Sequence, residues 1–358
     1  MKEPRGSKHT LPARPPALAC YTHPVRAMTL LRPAPVETHP LREVQRETPQ
    51  PGEGEVLVRV EACGVCRTDL HVVEGDLVPH KQGIVPGHEV VGTVAARGEG
   101  TTRLSVGERV GVAWLHRTCG RCRFCLREAE NLCLSPLFTG WDVDGGYADF
   151  TVAPEAFVHP LPIGLGSREA APLLCAGIIG YRAYQQSAVR PGGRLGLWGF
   201  GGSAHIVIQL ARHAGCEVYV FSREVRHRAL AEELGAAWVG GSFERPPHKL
   251  DAAILFAPAG ELVPAALEQL DRGATLAVAG IHLSQIPALD YARHLFQERT
   301  LRSVTANTRG DARALLELAR TIPIATHTTP YPFSAANDAL ADLKHDRIRG
   351  AAVLDLSA

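Results

Sequence analysis

Side chains that bind soft metal ions fall into two sets along this sequence. The first set is compact and follows the pattern C-x2-C-x2-C-x7-C, formed by Cys119, Cys122, Cys125 and Cys133. Four thiolates so close together on one loop can complete a tetrahedral sphere around Zn²⁺ and leave no open position. The spacing therefore predicts a structural zinc site.

The second set is dispersed and consists of Cys66, His88 and Cys175. Two thiolates and one imidazole leave the fourth position to water or substrate, as a catalytic zinc requires. Cys63 adds a thiol close to Cys66, but the set is complete without it, and we expect Cys63 to have a packing role. The sequence thus predicts two zinc ions per chain.

A glycine-rich turn lies between a predicted strand at 194–199 and a helical stretch at 206–211. It reads Gly199-Phe200-Gly201-Gly202-Ser203-Ala204. The first glycine allows a tight turn, the second lets the backbone approach a pyrophosphate, and Ala204 is small enough for the helix to pack on the strand. We expect this turn to bind a dinucleotide.

The end of the next predicted strand, at 217–221, bears on the choice of cofactor. An NAD-binding chain normally has an acid there, which accepts a hydrogen bond from the ribose 2′-OH. This chain has Ser222 and Arg223 instead, and a hydroxyl beside a guanidinium suits a 2′-phosphate. The alternative is that Arg223 only begins the next helix on a solvated face. We favour NADP and keep NAD open.

The elements that must position these groups change character near residue 181. Before it, segments are short, β-rich and interrupted by glycine, with strands predicted at 56–60 and 90–94, which indicates an irregular β domain that carries sites on loops. After it, strands and helices alternate, which implies parallel pairing and a doubly wound sheet.

Residues 1–27 differ from the rest of the chain. They carry five basic residues against one acid, five prolines and no apolar period. We interpret them as a disordered leader, or as the product of an upstream start codon with Met28 as the natural beginning. A basic transit peptide is the alternative, although its helix would be interrupted by the prolines.

The bulk composition is that of an ordinary globular chain. Of the 358 residues, 45% are hydrophobic and 21% charged, and the net charge is +1. So small a charge argues against nucleic acid as a partner, and the lack of a long apolar run argues against a membrane span. Cysteines clustered as metal ligands indicate a reducing, cytoplasmic location.

Five motifs together resemble the zinc-containing medium-chain alcohol dehydrogenases. In chain order they are Cys66-Arg67-Thr68-Asp69-Leu70-His71, Gly87-His88-Glu89, the four-cysteine loop, Leu174-Cys175-Ala176-Gly177 and the Gly199 turn. The resemblance covers about 28–358. It looks closest to a bacterial subgroup with Trp141 in a Thr-Gly-Trp-Asp segment and a late segment Ser303-Val304-Thr305-Ala306-Asn307.

The resemblance implies a fold and a division into domains. A β-rich, GroES-like catalytic zinc domain would comprise 28–180 and 316–358, and a Rossmann dinucleotide-binding domain would comprise 181–315. The cofactor domain is inserted in this family, so the C-terminal segment should return to the first domain. Family members are dimers or tetramers, which implies a homodimer or homotetramer here.

The resemblance also implies roles around the catalytic zinc. Cys66, His88 and Cys175 would bind the ion, and Glu89 would be a carboxylate able to approach it. Asp69 would orient the imidazole of His88 through a hydrogen bond.

Further implied roles concern the substrate and the cofactor. Thr68 would take the alcohol proton and pass it through the cofactor ribose to His71, which faces solvent. Arg67 would contact the pyrophosphate, and Trp114 and Trp141 would line the substrate pocket.

One departure from the family pattern stands near the C-terminus. The family often has arginine after the late glycine, where it touches cofactor phosphate and the acid near zinc. Here Gly350 is followed by Ala351. Arg347 and Arg349 are the candidates to replace that arginine.

The sequence thus predicts a zinc-dependent alcohol dehydrogenase. Its reaction would be a reversible hydride transfer between a primary, small or aromatic alcohol and NAD(P), giving an aldehyde or ketone. The alternative is a catalytically silent relative that binds nucleotide and zinc. A metal-free quinone reductase of the same superfamily is disfavoured because all three catalytic ligands are present.

Overall fold

The computed structural model describes residues 24–357. The predicted disorder of the leader therefore lies, for residues 1–23, outside the described residues. The described chain forms two units, one around a seven-stranded sheet and one around a six-stranded parallel sheet. None of the described helices combines the length and apolar content needed to cross a bilayer.

The described strands, in chain order, are β1 (Val25–Leu30), β2 (Leu41–Arg46), β3 (Glu55–Val65), β4 (Glu89–Arg97), β5 (Arg109–Val112), β6 (Leu115–Arg117), β7 (Leu137–Phe138), β8 (Phe150–Pro154), β9 (Val158–Pro160), β10 (Arg194–Trp198), β11 (Glu217–Phe221), β12 (Trp238–Gly240), β13 (Leu250–Leu255), β14 (Leu270–Val278), β15 (Thr300–Ser303), β16 (Thr328–Pro332) and β17 (Ala351–Asp355).

The described α-helices are α1 (Arg67–Glu74), α2 (Ser167–Ala170), α3 (Ala176–Ser187), α4 (Gly202–His213), α5 (Val225–Glu233), α6 (Leu262–Gln269), α7 (Tyr291–His294), α8 (Arg309–Thr321) and α9 (Ala336–Lys344). Short 3₁₀ turns occur between them, two of them inside the four-cysteine loop.

The six-stranded sheet has the order β12-β11-β10-β13-β14-β15, and all its neighbouring strands are parallel. The direction of the strand order reverses between β10 and β13, which is where doubly wound sheets bind dinucleotides. The central strands are buried on both faces and consist largely of apolar residues. The predicted doubly wound sheet is confirmed.

The seven-stranded sheet is mostly antiparallel, in the order β16-β17-β3-β4-β5-β9 with β8 also paired to β3. The last two strands of the chain therefore join the first unit. Two register shifts interrupt the pairing of β3 with β4, between Leu57 and Val58 and between Val60 and Ala62. Such bulges bend a strand and aim its end, and β3 ends beside the dispersed metal set.

Folded structure begins earlier than Met28, which corrects the leader's predicted boundary. β1 starts at Val25 and pairs with β2 along its whole length. The backbone N–H and the guanidinium of Arg26 donate to the Asp149 carboxylate. The basic charge of Arg26 thus belongs to an ion pair of the fold.

The predicted domain boundaries fall inside helices. α3 continues through 180/181 and α8 through 315/316. Gly180 does not mark a linker: a Cβ there would lie 2.9 Å from Val207 Cγ2 and 3.2 Å from the Ser203 carbonyl of α4. The glycine lets α3 and α4 approach closely, and helix α3 connects the two units.

Candidate active site

Three separate elements bring the dispersed metal set together. Cys66 follows β3 and caps α1, His88 immediately precedes β4, and Cys175 immediately precedes α3. Their ligand atoms and a carboxylate oxygen of Glu89 all lie within 4.8 Å of one another, with Cys66 Sγ 3.3 Å from His88 Nε2. Tetrahedral zinc places a thiolate and an imidazole nitrogen about 3.5 Å apart, so this donor set fits the ion.

Asp69 fixes the orientation of His88. Its Oδ1 lies 2.8 Å from His88 Nδ1 and accepts from the Gly87 N–H, while Oδ2 accepts from the Cys66 N–H at 3.0 Å. The imidazole can then present Nε2 to a metal, the arrangement expected of a zinc-binding histidine. Asp69 also forms a capping box with Cys66, so helix α1 is ordered by the same groups.

The thiols of the cluster differ in acidity. A hydrogen bond from Cys175, together with His88, holds the pKa of Cys66 well below its usual range despite burial. The same hydrogen bond and burial raise the pKa of Cys175. Burial disfavours a charged His88, but Asp69 and Cys66 outweigh it and raise the pKa of that imidazole. Of the two cysteines, Cys66 is therefore the more acidic.

Glu89 lies fully inside the protein beside this cluster. Burial and the Cys66 thiolate raise the pKa of its carboxyl well above the ordinary value. A Cβ at Gly64, in the facing strand, would lie 1.9 Å from Glu89 Oε2. Gly64 therefore provides the space that Glu89 occupies.

Aromatic rings form one wall of the site. Trp114 meets the His88 ring edge-on at 5.0 Å and stacks on Phe138 at 4.9 Å and on Trp141 at 5.9 Å. The Trp141 indole N–H donates to the Val78 carbonyl at 2.8 Å. Trp114 therefore lies beside His88, and Trp141 is joined to this wall by ring stacking.

Thr68 and His71 lie on one face of α1, as expected at a spacing of three residues. Thr68 is buried, and its N–H donates to Cys66 Sγ at 3.3 Å. His71 is partly exposed and its Nδ1 lies 2.8 Å from Asp76 Oδ2. Helix α1 thus carries a buried hydroxyl beside Cys66 and a partly exposed imidazole one turn later.

The four thiols of the compact cysteine set also lie close together, all within 4.8 Å of one another. The Sγ atoms of Cys119 and Cys122 lie 3.9 Å and 3.5 Å from Cys125 Sγ, close to the roughly 3.8 Å between two thiolates of tetrahedral zinc. Backbone N–H groups of Cys119 and Ser135 donate to Cys133 Sγ. Similar N–H groups lower the pKa of Cys122 to about 6, whereas burial raises the pKa of Cys125 to about 11.

The glycine-rich turn lies at the carboxyl edge of the parallel sheet. Gly199 has φ +84°, and a Cβ there would lie 2.9 Å from the Ala257 nitrogen, so only glycine is unstrained. No atom comes within 4 Å of a Cβ position at Gly201, the N-cap residue of α4. Ala204 is fully buried against the sheet. The open space at the helix N-terminus can receive a pyrophosphate.

At the end of β11, Ser222 is buried and its Oγ accepts from the Glu224 N–H. Arg223 is 87% exposed and pairs with Glu224. Arg228 from α5 donates to the Ser222 carbonyl at 2.7 Å. A second guanidinium, which the sequence interpretation missed, therefore lies at this corner.

Arg67 pairs with Asp346 at 2.9 Å, and Arg226 of the cofactor unit donates to the Asp346 carbonyl. In this structure Arg67 thus contacts a carboxylate that a phosphate would have to replace. Of the two candidates for the missing late arginine, Arg347 pairs with Asp342. Arg349 has an exposed side chain and a carbonyl that accepts from Thr329.

Cys63 is fully buried, and its thiol donates to the Gly64 carbonyl, in keeping with a packing role. Other residues of the site were missed by the sequence interpretation. Asp76 and Phe138 are the clearest. The only sequence signal for them is proximity, because Asp76 follows His71 by five positions and Phe138 precedes the Thr-Gly-Trp segment by one.

Comparisons with known proteins identify the family of this chain. Residues 52–163 match the alcohol dehydrogenase GroES-like domain family and residues 202–321 the zinc-binding dehydrogenase family. A probable alcohol dehydrogenase AdhA of Mycobacterium tuberculosis is 55% identical over 338 residues, covering 93% of this chain and 98% of the relative.

Solved structures are also similar. A cobalt- and zinc-bound thermostable alcohol dehydrogenase from Pyrobaculum aerophilum superposes with a TM-score of 0.83 at 27% identity, over 93% of this chain and 100% of that one. A cinnamyl alcohol dehydrogenase from Sorghum bicolor gives a TM-score of 0.84 at 27% identity, over 94% and 98%.

Proposed function

This chain belongs to the zinc-dependent, medium-chain alcohol dehydrogenase family, and we propose that Cys66, His88 and Cys175 hold its catalytic zinc. The chain is an NAD(P)-dependent alcohol dehydrogenase that acts on small-molecule alcohols and aldehydes. The observation that carries the proposal is the convergence of these three ligand atoms and Glu89 within 4.8 Å. We assign the structural zinc to Cys119, Cys122, Cys125 and Cys133.

The groups around the reacting alcohol have different roles. When bound, zinc supplies Lewis-acid activation of the hydroxyl and the nicotinamide supplies the hydride acceptor. Asp69 keeps His88 Nε2 directed at the metal position, and Trp114 and Trp141 exclude water and hold an apolar substrate. We expect this aromatic wall to accept primary, small or aromatic alcohols.

The alcohol proton leaves through α1 in this proposal. Thr68 is buried next to Cys66 and would accept the proton, and His71 would pass it on to solvent. Asp76 holds His71 Nδ1, which leaves Nε2 for proton exchange. The partly exposed ring of His71 can release the proton to solvent.

For the cofactor we propose NADP in preference to NAD. Position 222 is a serine, so it has no carboxylate to accept a hydrogen bond from a ribose 2′-OH or to repel a 2′-phosphate. Arg223 and Arg228 add two positive charges at this corner, and Arg223 already pairs with the nearby Glu224. Gly199, Gly201, Gly202, Ser203 and Ala204 would cradle the pyrophosphate, with Arg67 as a further contact.

We propose that the protein works in the cytoplasm as a homodimer or homotetramer. Cysteines arranged as metal ligands suit a reducing compartment. β15 is the last strand of the six-stranded sheet, and an uncovered sheet edge favours pairing with another chain. Light scattering during gel filtration tests the assembly, and a purely monomeric protein would contradict it.

A substrate panel tests the activity. Ethanol, longer alcohols and aromatic alcohols are mixed with zinc-loaded protein and either NAD or NADP, and the absorbance of the reduced nicotinamide is followed. His88→Ala is the matched control, and we expect turnover in the wild type alone. A wild type that binds zinc and cofactor but oxidises no alcohol would instead indicate a silent relative.

A further inference from the structure

A partly buried ion pair joins the four-cysteine loop to the cofactor-binding unit. Glu130 lies in a 3₁₀ turn just before the ligand Cys133. Its two carboxylate oxygens accept from the backbone N–H, Nε and Nη2 of Arg309, at 2.6–3.0 Å. Bidentate pairs of this kind fix geometry as well as charge.

Further contacts reinforce this attachment. Asn131 Nδ2 donates to the Thr305 carbonyl at 3.0 Å. The Arg309 guanidinium also lies over the Phe157 ring, 4.5 Å from its centroid. The Glu130 carbonyl accepts a hydrogen bond from the Cys133 N–H. Glu130 therefore contacts Arg309 through its side chain and the proposed zinc ligand Cys133 through its backbone.

The partner residues stand at the cofactor edge of the parallel sheet. Segment 304–308 follows the carboxyl end of β15 and leads into α8, and Ala306 within it has φ +47°. Dinucleotides bind outside the carboxyl ends of such strands. A non-glycine residue in the left-handed region costs conformational energy and persists only where its surroundings hold it. Asn131 and Glu130 hold this segment on both sides of Ala306.

The same helix end is connected to the catalytic cluster. Asp311 caps α8 by accepting from Thr308, and Arg182 of α3 donates to the Asp311 carboxylate at 2.8 Å. α3 begins directly after Cys175. The first turn of α8 is therefore held by the cysteine loop from one side and by the helix of a catalytic ligand from the other.

Resting on the proposed dehydrogenase function, we propose that Glu130 and Asn131 are positioning residues for the cofactor. Through Arg309 and Thr305 they fix segment 304–308, and they thereby couple the four-cysteine site to the cofactor site. Coupling between two sites is reciprocal at equilibrium. A metal-ordered loop should strengthen cofactor binding, and bound cofactor should strengthen metal binding in that loop by the same factor.

Calorimetric titration with NADPH and NADH tests the first half. Glu130→Gln removes the charge but keeps the shape, and Glu128→Gln is the same change at an exposed position of the same loop. We expect Glu130→Gln to raise the cofactor Kd roughly five- to tenfold, with KM for the cofactor rising and kcat nearly constant. Glu128→Gln should match the wild type.

A second variant covers the case in which Glu130→Gln does not fold. Arg309→Lys keeps the charge but cannot form the bidentate contact with Glu130. We therefore expect it to raise the cofactor Kd by a smaller factor than Glu130→Gln does. Circular dichroism and melting identify the variants that are folded.

The reciprocal half is measured in a Cys66→Ser background, which leaves zinc only in the four-cysteine loop. A serine hydroxyl still caps α1. The zinc Kd of the loop, from competition with a chromophoric chelator, should fall when NADPH is saturating, and Glu130→Gln should abolish that fall. A wild type without cofactor binding would overturn this inference together with the proposed function. Normal binding with equal Kd values in all folded variants would overturn this inference alone.

Discussion

At the scale of single residues, the proposed proton path depends on one hydroxyl. Thr68 is buried beside Cys66. We expect Thr68→Ala to lower kcat by about 10²–10⁴-fold, the usual contribution of general acid–base groups. Cofactor Kd should stay unchanged. Steady-state kinetics with calorimetry measures both, and an equally active variant would remove Thr68 from the mechanism.

His71 stands at the solvent end of the same path, so its loss should be milder. We expect His71→Gln to reduce kcat less than Thr68→Ala does, because water and buffer can reach the partly exposed position. Adding a small buffer base should restore part of the rate. No response to buffer concentration would contradict the assigned role.

The residues at the end of β11 determine which of the two cofactors is preferred. Combining Ser222→Asp with Arg223→Ile supplies an acceptor for the 2′-OH and removes one charge, and we expect preference to move from NADP to NAD. A charge-assisted hydrogen bond contributes about 1.5–3 kcal/mol, and screening by solvent reduces the share of the exposed Arg223. The ratio of kcat/KM values measures the change. A wild type that works well with NAD and poorly with NADP would refute the ribose argument.

At the scale of elements, Gly64 in β3 gives the position of Glu89 a direct test. Gly64→Ala places a methyl group where the Glu89 carboxylate lies, and overpacking of this kind costs about 1–3 kcal/mol. We expect a lower melting temperature and weaker zinc binding. Gly241→Ala, in a turn with room for the added carbon, should leave both unchanged. An unaffected Gly64→Ala would show that Glu89 lies elsewhere.

The four-cysteine loop should behave as a structural unit. Cys122→Ser removes a ligand from a closed site, and metal bound there contributes folding free energy. We expect one zinc fewer per chain and a lower melting temperature. Scanning calorimetry and metal analysis measure these effects. A variant as stable as the wild type would mean that the loop folds without its metal.

Sequence patterns located strands and helices well where a buried apolar run or a glycine-rich turn marks them. Strands β10 and β11 lie where buried apolar runs predict them, and the glycine-rich turn between strand and helix identifies α4. β3 and β4 are longer than the predicted 56–60 and 90–94, because cross-strand pairing extends them through polar and glycine residues. Such pairing partners are distant in sequence and leave no local signal.

At the scale of the whole molecule, motif order sufficed for the fold class and the family, but contacts between units were beyond sequence reasoning. Chemistry restricts which residues can bind zinc, so the spacing of Cys66, His88 and Cys175 was informative. Ion pairs such as Glu130 with Arg309 join positions 179 residues apart. Any acid and any base can form them, and composition does not select the partners. The continuous helices α3 and α8 likewise conceal the domain boundaries.

The molecule as a whole should hold two zinc ions per chain, because two separate donor sets close around positions of tetrahedral size. Elemental analysis of protein prepared without chelators measures the ratio. One zinc per chain would mean that one of the two sets does not bind the metal under these conditions.

The central claim is that hydride passes directly from the alcohol carbon to the nicotinamide at the Cys66, His88 and Cys175 cluster. Zinc-loaded protein is given an alcohol deuterated at the carbinol carbon together with NADP, and the reduced cofactor is analysed by mass spectrometry. We expect one deuterium in each molecule of reduced cofactor, and no product with His88→Ala. Reduced cofactor that carries no deuterium, or equal product from His88→Ala, would contradict it.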